Sequence, residues 1–275
     1  IYATVIFLPH SALFVEPWQP QKHSRVDVEA TYYAQTNLLR QSLYILSPER
    51  PDKTDLYFVG FAAYASQDVF KREIEQATVI FEQQFDAIGR TVSLINHRAT
   101  LAIVPLANRH NLETTIRGLA ERINLEEDVV VLFLSSHGGE DATISVDLPN
   151  FRLNDLSANE LRQMLDTAAI KWRIIIVSAC YSGSFIDELK SPTTLVITAA
   201  ASDRASFGCA RENDWTYFGE AYFAQALKQS ASFVAAFTKA QEIIGKREAD
   251  EGKKPSDPQI SLGSEIKAFL IKHDL

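Results

Sequence analysis

The amino-acid sequence predicts an α/β fold with a mostly parallel central sheet and helices on both of its faces. Short apolar runs alternate with longer stretches in which apolar residues recur every three or four positions, as expected when strands alternate with amphipathic helices. Two of the runs, 129–134 and 174–177, are apolar without interruption, which is typical of parallel strands buried on both faces. The chain has 275 residues, of which 46% are hydrophobic and 23% charged, so it can bury a full core.

The predicted elements follow one another from residue 55 onward. The predicted strands are 56–60, 91–95, 129–134, 174–177 and 195–198. The predicted helices are 70–88, 112–123, 157–165, 218–227, 232–248 and a short one near Leu270. Ser157 and Glu160 form a capping-box pattern at the start of one helix, and residues 250–259 are expected to form a polar loop.

Residues 1–53 differ in composition from the rest, and we interpret them as an N-terminal arm with one helix, followed by a globular domain over 54–275. Half of the ten prolines fall in the arm. Between them, residues 26–46 place apolar residues on one face of a helix: Tyr32, Leu39, Leu43 and Leu46.

The first 15 residues are apolar, but Pro9 and His10 interrupt them. No stretch reaches the roughly 18 apolar residues that a membrane-spanning helix needs. The stub of a membrane segment, the end of a signal region and an N-terminal docking strand all fit this stretch.

Composition excludes several classes of function. The net charge of −8 argues against non-specific binding to nucleic acid, which needs a basic face. The two cysteines are too few for a disulfide scaffold or a Cys₄ zinc site. The sequence has no G-x-S-x-G elbow, no Walker loop and no G-x-G-x-x-G, so serine hydrolases, NTPases and dinucleotide-binding proteins lack their signatures.

Two predicted strands end in residues that can carry out chemistry. The run 129–134 leads to His137, and the run 174–177 leads to Cys180. Because the carboxyl ends of parallel strands meet at one edge of a sheet, we expect these side chains to share that edge. A thiol needs a base or a positive field to become a nucleophile, and a histidine supplies one. The order in the chain, His-Gly before Ala-Cys, is the order of caspase-type and not of papain-type enzymes.

The chain resembles the legumain-like cysteine peptidases, peptidase family C13, and within that family its bacterial members. The resemblance covers roughly residues 55–270. It is carried by 136–138 (SHG), 178–183 (SACYSG), 198–200 (TAA), 206–209 (SFGC) and 216–220 (TYFGE).

The resemblance implies a three-layer caspase-like fold and a Cys/His dyad that needs no metal or organic cofactor. In that dyad Cys180 is the nucleophile and His137 the general base and acid, while the amides of Gly138 and Cys180 form the oxyanion hole. The resemblance also implies a peptide or protein substrate. It further implies substrate-binding residues in this chain: Ser178, Ser206, Glu220 and Asp68.

The substrate pocket departs from the family pattern. Legumains cleave after Asn and sometimes Asp, with a pocket arginine for which 64–68 supplies no counterpart, and Ser178 replaces a pocket acid. The P1 preference therefore stays open, with an Asn or Asp type as one option. The asparagine that orients the family's histidine also lacks a match, and Ser66 and Asp68 are the candidates.

Alternatives remain open at this stage. A transamidase of the same family uses the same acyl-enzyme, and a non-catalytic interaction module on a caspase-like scaffold is a further alternative. Cys209 is interpreted as a packed thiol, with a disulfide to Cys180 as the other reading. We expect a location in the cell envelope, membrane-associated or periplasmic, through a segment upstream of residue 1, with the cytoplasm and the oligomeric state left open.

Overall fold

The computed structural model describes residues 26–275. The strands are β1 (Leu56–Ala62), β2 (Thr91–Ile95), β3 (Val129–Ser135), β4 (Gly138–Gly139), β5 (Thr143–Ile144), β6 (Leu156–Ser157), β7 (Trp172–Ser178), β8 (Thr194–Thr198) and β9 (Gln259–Leu262). The helices are α1 (Val28–Tyr44), α2 (Asp68–Gln84), α3 (Arg109–Ala120), α4 (Ala158–Thr167), α5 (Ile186–Leu189), α6 (Tyr217–Gly219), α7 (Phe233–Asp250) and α8 (Ser264–Lys272). A π-helical stretch, Glu220–Ala226, continues α6.

A six-stranded sheet forms the centre of the fold, in the order β2-β1-β3-β7-β8-β9. All neighbouring strands are parallel except β9, which runs antiparallel along β8. β1 and β3 are buried over their whole length because helices cover both faces. The predicted α/β class with a mostly parallel sheet is confirmed.

The core has two layers, one on each face of the sheet. Successive residues of a strand point to opposite faces, so Val131 and Phe133 join one layer while Leu132 and Leu134 join the other. The first face is covered by α2, by α6 with its π-helical continuation, and by α7 and α8. The second face is covered by α1, α3, α4 and α5. This is the three-layer arrangement that the sequence predicts.

The five strands and the long helices that the sequence predicts are all present, with ends that differ by a few residues. The capping box at Ser157 is confirmed, because its hydroxyl accepts from the Glu160 amide and the Glu160 carboxylate accepts from the Ser157 amide. β9 begins at the last residue of the predicted polar loop and was not predicted. The small antiparallel sheet β4-β5-β6 was not predicted either, because two-residue strands leave no periodicity to detect.

The helix predicted within 26–46 is confirmed as α1, which packs on the globular domain. Leu39 and Leu43 are buried, and the Gln35 side chain accepts hydrogen bonds from the Leu106 amide (2.8 Å) and the Asn111 side chain (2.9 Å). Tyr32, placed on the same face by its spacing, is 43% exposed and meets Phe151 edge to face.

The apolar stretch 1–15 lies outside the described residues. Among the helices within 26–275, none combines the length and the apolar character needed to cross a membrane. The location in the cell envelope stays a prediction from the sequence.

Candidate active site

The pairing of β3 with β7 brings the segments of His137 and Cys180 side by side. Ser135, the last residue of β3, is the register partner of Ser178, the last residue of β7. Ser135 and Ser178 therefore lie side by side at the same level of the sheet, and we call them the level pair. His137 and Cys180 each follow their member of this pair by two residues. The amide of Ser136 donates to the carbonyl of Ser178 (3.2 Å), which extends the contact past the strands.

Gly138 brings the two segments into close approach. A Cβ atom at this position would lie 2.4 Å from the backbone oxygen of Cys180, so any larger residue forces the segments apart. The Ser145 amide donates to the His137 carbonyl (3.0 Å), which puts Gly138 at a position of the β4–β5 ladder where no hydrogen bond forms. The N–H of Gly138 thus faces away from β5.

Three side chains hold the ring of His137. Its Nε2–H donates to Oε1 of Gln67 (2.5 Å), and the rings of Tyr64 and Phe70 meet it edge to face at centroid distances of 4.6 and 5.2 Å. A proton on Nε2 leaves the lone pair on Nδ1. Burial lowers the pKa of His137, so its imidazole is neutral at neutral pH and can accept a proton.

Sequence reasoning missed Gln67 and considered its neighbours Ser66 and Asp68 instead. Gln67 occupies the N-cap position of α2, where Ser, Thr, Asp and Asn are preferred, and its side chain makes no cap hydrogen bond. That side chain contacts His137 instead. A poor capping residue just before a predicted helix, together with a histidine after a predicted strand, is the signal that the sequence offered.

The thiol of Cys180 lies against the segment that carries Ser206. The Ser206 amide donates to Sγ of Cys180 (3.3 Å), and the Ser206 hydroxyl lies 3.7 Å from the same atom. Tyr181 follows with φ of 56°, in the left-handed region, and its amide donates to the Arg204 carbonyl (2.7 Å). These two contacts tie the turn at Cys180 and Tyr181 to the 204–206 segment.

Both cysteines are free thiols and both are partly buried. Cys209 packs against the first core layer, and burial is the main cause that raises the pKa of its thiol, with Cys180 nearby as a second cause. A packed thiol is the interpretation that this placement favours.

The remaining predicted substrate residues lie in three different settings. Ser178 is buried, and its hydroxyl is 3.1 Å from that of Thr216, so it has partners inside the protein. Asp68 begins α2 beside Gln67 and lies 3.3 Å from Nε2 of His97. Glu220 pairs with Arg247 of α7 at 2.7 Å. The structure thus brings Asp68 next to the residue that contacts His137, and it gives Glu220 a partner on α7.

A cleft of about 540 Å³ opens beside Gln67. Its lining is largely apolar and includes Ala65, Leu101, Leu148 and Pro149. Ionisable residues also line the cleft, namely Asp68, His97, Arg98 and Arg211. The Arg211 guanidinium donates to the carbonyl of Ser66 (2.9 Å), which joins the 206–211 segment to the start of α2. Two of the segments that line the cleft, 64–68 and 206–211, therefore also contact His137 or Cys180.

The fold resembles that of a caspase. The crystal structure of caspase-1 from Spodoptera frugiperda superposes with a TM-score of 0.50 over 78% of this chain and 90% of that chain, at 12% sequence identity. At this identity the likeness concerns the fold alone. Comparison with curated proteins gave no match.

The sequence supplies the family. The model of the Peptidase C13 family matches residues 106–268, more than half of the chain, and this stretch includes both His137 and Cys180. The chain belongs to the peptidase C13 family. Family and fold together support a cysteine peptidase.

Proposed function

We propose that this chain is a cysteine endopeptidase that hydrolyses peptide bonds through Cys180 and His137 and an acyl-enzyme intermediate. The observation that carries the proposal is the level pair Ser135 and Ser178, two residues before the histidine and the cysteine. The close approach of Gly138 to the Cys180 carbonyl supports the same reading, as does membership of the C13 family.

His137 acts first as the general base. Because its Nε2–H is bonded to Gln67, Nδ1 takes the proton from the Cys180 thiol. The thiolate then attacks the carbonyl carbon of the scissile bond, and the electron pair of the C=O bond moves onto oxygen. The amides of Gly138 and Cys180 stabilise that oxyanion, because N–H dipoles fixed by the backbone need no reorganisation.

His137 then acts as the general acid. Its imidazolium gives the proton to the leaving amine as the C–N bond breaks, which leaves a thioester on Cys180. A water molecule, deprotonated by His137, attacks the thioester, and the acid product leaves as the thiol reforms.

The test is cleavage of a fluorogenic peptide library varied at P1 by the wild type, Cys180→Ala and Cys209→Ala. We expect the wild type to cleave and Cys180→Ala to lose at least about 10³-fold in kcat/KM. Cys209→Ala is the matched control, since it removes the other thiol of the chain, and it should keep most of the activity. Full activity of Cys180→Ala refutes the proposal, and the preferred P1 residue defines the pocket.

Adding an amine nucleophile separates hydrolysis from transamidation. An acyl-enzyme captured by the amine gives a ligated product, and predominance of that product at low amine concentration would favour the transamidase. Absence of cleavage, of ligation and of labelling of Cys180 by a thiol-reactive probe would favour a non-catalytic module.

A further inference from the structure

Glu73 is a fully buried glutamate on the apolar face of α2. It lies one position before Ile74 and four before Ala77, in the stripe that packs against the sheet. A buried carboxyl group is costly unless hydrogen bonds compensate it, and an apolar residue would fill this place at lower cost. The presence of a carboxyl group at this buried position therefore needs an explanation.

Three hydroxyl groups surround the Glu73 carboxyl group. The Ser135 hydroxyl donates to Oε2, and the Thr216 hydroxyl donates to Oε1 (2.6 Å). The Ser178 hydroxyl lies 3.1 Å from that of Thr216, which links the end of β7 to the carboxyl group through Thr216. We call Glu73, Ser135, Ser178 and Thr216 the Glu73 cluster.

Gly219 leaves room for this cluster. Its amide donates to Oγ1 of Thr216 (2.9 Å), and a Cβ atom at this position would lie 1.7 Å from Oε1 of Glu73. The two hydrogen bonds run in the same direction, because Gly219 donates to Thr216 and Thr216 donates to Glu73. Each hydroxyl has one proton to give, and this arrangement suits an ionised carboxylate.

The Glu73 cluster connects the three elements that hold the dyad. Ser135 ends β3 two residues before His137, and Ser178 ends β7 two residues before Cys180. α2, which carries Glu73, also presents Gln67 and Phe70 to the ring of His137. A shift of α2 against the two strand ends would move Gln67 relative to His137 and His137 relative to Cys180.

No lysine, arginine or histidine forms an ion pair with Glu73 within residues 26–275. The titratable groups on the elements packed around it are His137, Cys180, Cys209, Arg72 with its partner Asp214, Tyr217, Tyr222, and Glu220 with its partner Arg247. Burial raises the pKa of the Glu73 carboxyl group to about 7, and the hydroxyls of Ser135, Thr216 and Ser178 oppose that rise. Its charge therefore changes near neutral pH.

We propose that Glu73 is a positioning residue, whose buried carboxylate ties α2 to the ends of β3 and β7 and thereby sets the reactivity of the Cys180 thiol. The inference rests on the proposed roles of Cys180 and His137. A protonated Glu73 must donate a hydrogen bond, so one of its two hydroxyl donors, Ser135 or Thr216, has to turn its own proton away. The contact between α2 and a strand end is then weaker, and the thiol is less reactive.

The test is the rate of alkylation of Cys180 by iodoacetamide as a function of pH, between about pH 5 and 9. All proteins carry Cys209→Ser, so that Cys180 is the single thiol of the chain. We expect two steps in the parent profile, one from the Cys180–His137 pair and one near neutral pH from Glu73. Glu73→Gln should lack the second step and react about tenfold more slowly above it, an effect of about 1.4 kcal/mol.

Asp128→Asn is the matched control, because Asp128 is a buried acid at the opposite end of β3 with a raised pKa of about 6. It should keep both steps. An unchanged profile in Glu73→Gln, or the same change in Asp128→Asn, overturns the proposal. If Glu73→Gln does not fold, Ser135→Ala replaces it: loss of one donor to the carboxylate should move the second step to higher pH, and an unmoved step overturns the proposal.

Alkylation needs no peptide substrate, so the two proposals can fail separately. A chain that shows the Glu73 step but cleaves no peptide supports the positioning role and contradicts the peptidase. A chain that cleaves peptides through Cys180 but lacks the Glu73 step supports the peptidase and contradicts the positioning role.

Discussion

Both ends of the parallel sheet hold buried carboxyl groups, two at the amino end and one at the carboxyl end, with different partners. At the amino end, the fully buried Asp55 accepts hydrogen bonds from Arg50 and lies 3.2 Å from the guanidinium of Arg90. Asp128, beside it, accepts from the amides of Asp55 and Asn124, both at 2.8 Å. At the carboxyl end, Glu73 has hydroxyl partners alone.

The difference lies in what the partners can do. Guanidinium groups and backbone N–H groups can only donate hydrogen bonds, so the carboxylates at the amino end are held in one arrangement. Hydroxyls can donate or accept, so the Glu73 cluster can exist in more than one arrangement as its charge changes. The amino end is therefore expected to contribute stability, and the carboxyl end is expected to carry the chemistry and its dependence on pH.

The largest effect is expected at His137. His137→Ala should lower kcat/KM by about 10⁴-fold, or about 5.5 kcal/mol in activation free energy, because it removes the proposed general base and acid. Chemical denaturation should show a much smaller change in the free energy of unfolding. His110→Ala is the control, since His110 is exposed and lies in the first turn of α3. Equal losses of kcat/KM in the two variants would contradict the expectation that the chemistry lies at the carboxyl end of the sheet.

Asp55→Asn should have the opposite profile. It leaves two guanidinium groups without their shared anion, and breaking a buried ion pair costs about 3–5 kcal/mol. The free energy of unfolding, measured with urea, should fall by that amount. The alkylation rate of Cys180 in the folded protein should stay the same, and a large change in that rate would show that the amino end also positions the dyad.

Stability should depend on pH through Glu73. Its pKa rises from 4.5 to about 7 on folding, so the folded state binds more protons in that interval. The free energy of unfolding of the wild type should therefore fall by about 3 kcal/mol relative to Glu73→Gln as pH rises from 4.5 to 7. Parallel pH curves for the two proteins would mean that Glu73 does not ionise in this interval.

The smallest effect is expected at Gln67. Gln67→Ala removes the acceptor of the His137 Nε2–H and should lower kcat about tenfold, near 1.4 kcal/mol, with little change in KM. Gln67→Glu should restore the acceptor and raise the pKa of His137 through the added negative charge. The pH–rate profile separates the two variants, and no shift for Gln67→Glu would argue against a direct contact in solution.

The sequence predicted most of the fold, and the particular misses have physical causes. In α2 the apolar residues recur at helical spacing over the whole segment, and β3 contains an uninterrupted apolar run, so the sequence pattern indicates both elements. β9 is a four-residue strand that pairs with β8 along the edge of the sheet, and each of its residues is half-buried, so no pattern marks it. The site was predicted as two strand-end residues with glycines, and the helix residues that support them were missed.

The sequence by itself determined the strands, the helices and the identity of His137 and Cys180 as the residues at two strand ends. These follow from local periodicity and from side-chain chemistry. The partners Gln67 and Glu73 depend on the tertiary structure, which docks α2 across the ends of β3 and β7. Glu73 is 62 positions from Ser135 and 143 from Thr216. Contacts over such separations depend on strand register and helix packing, which no local pattern encodes.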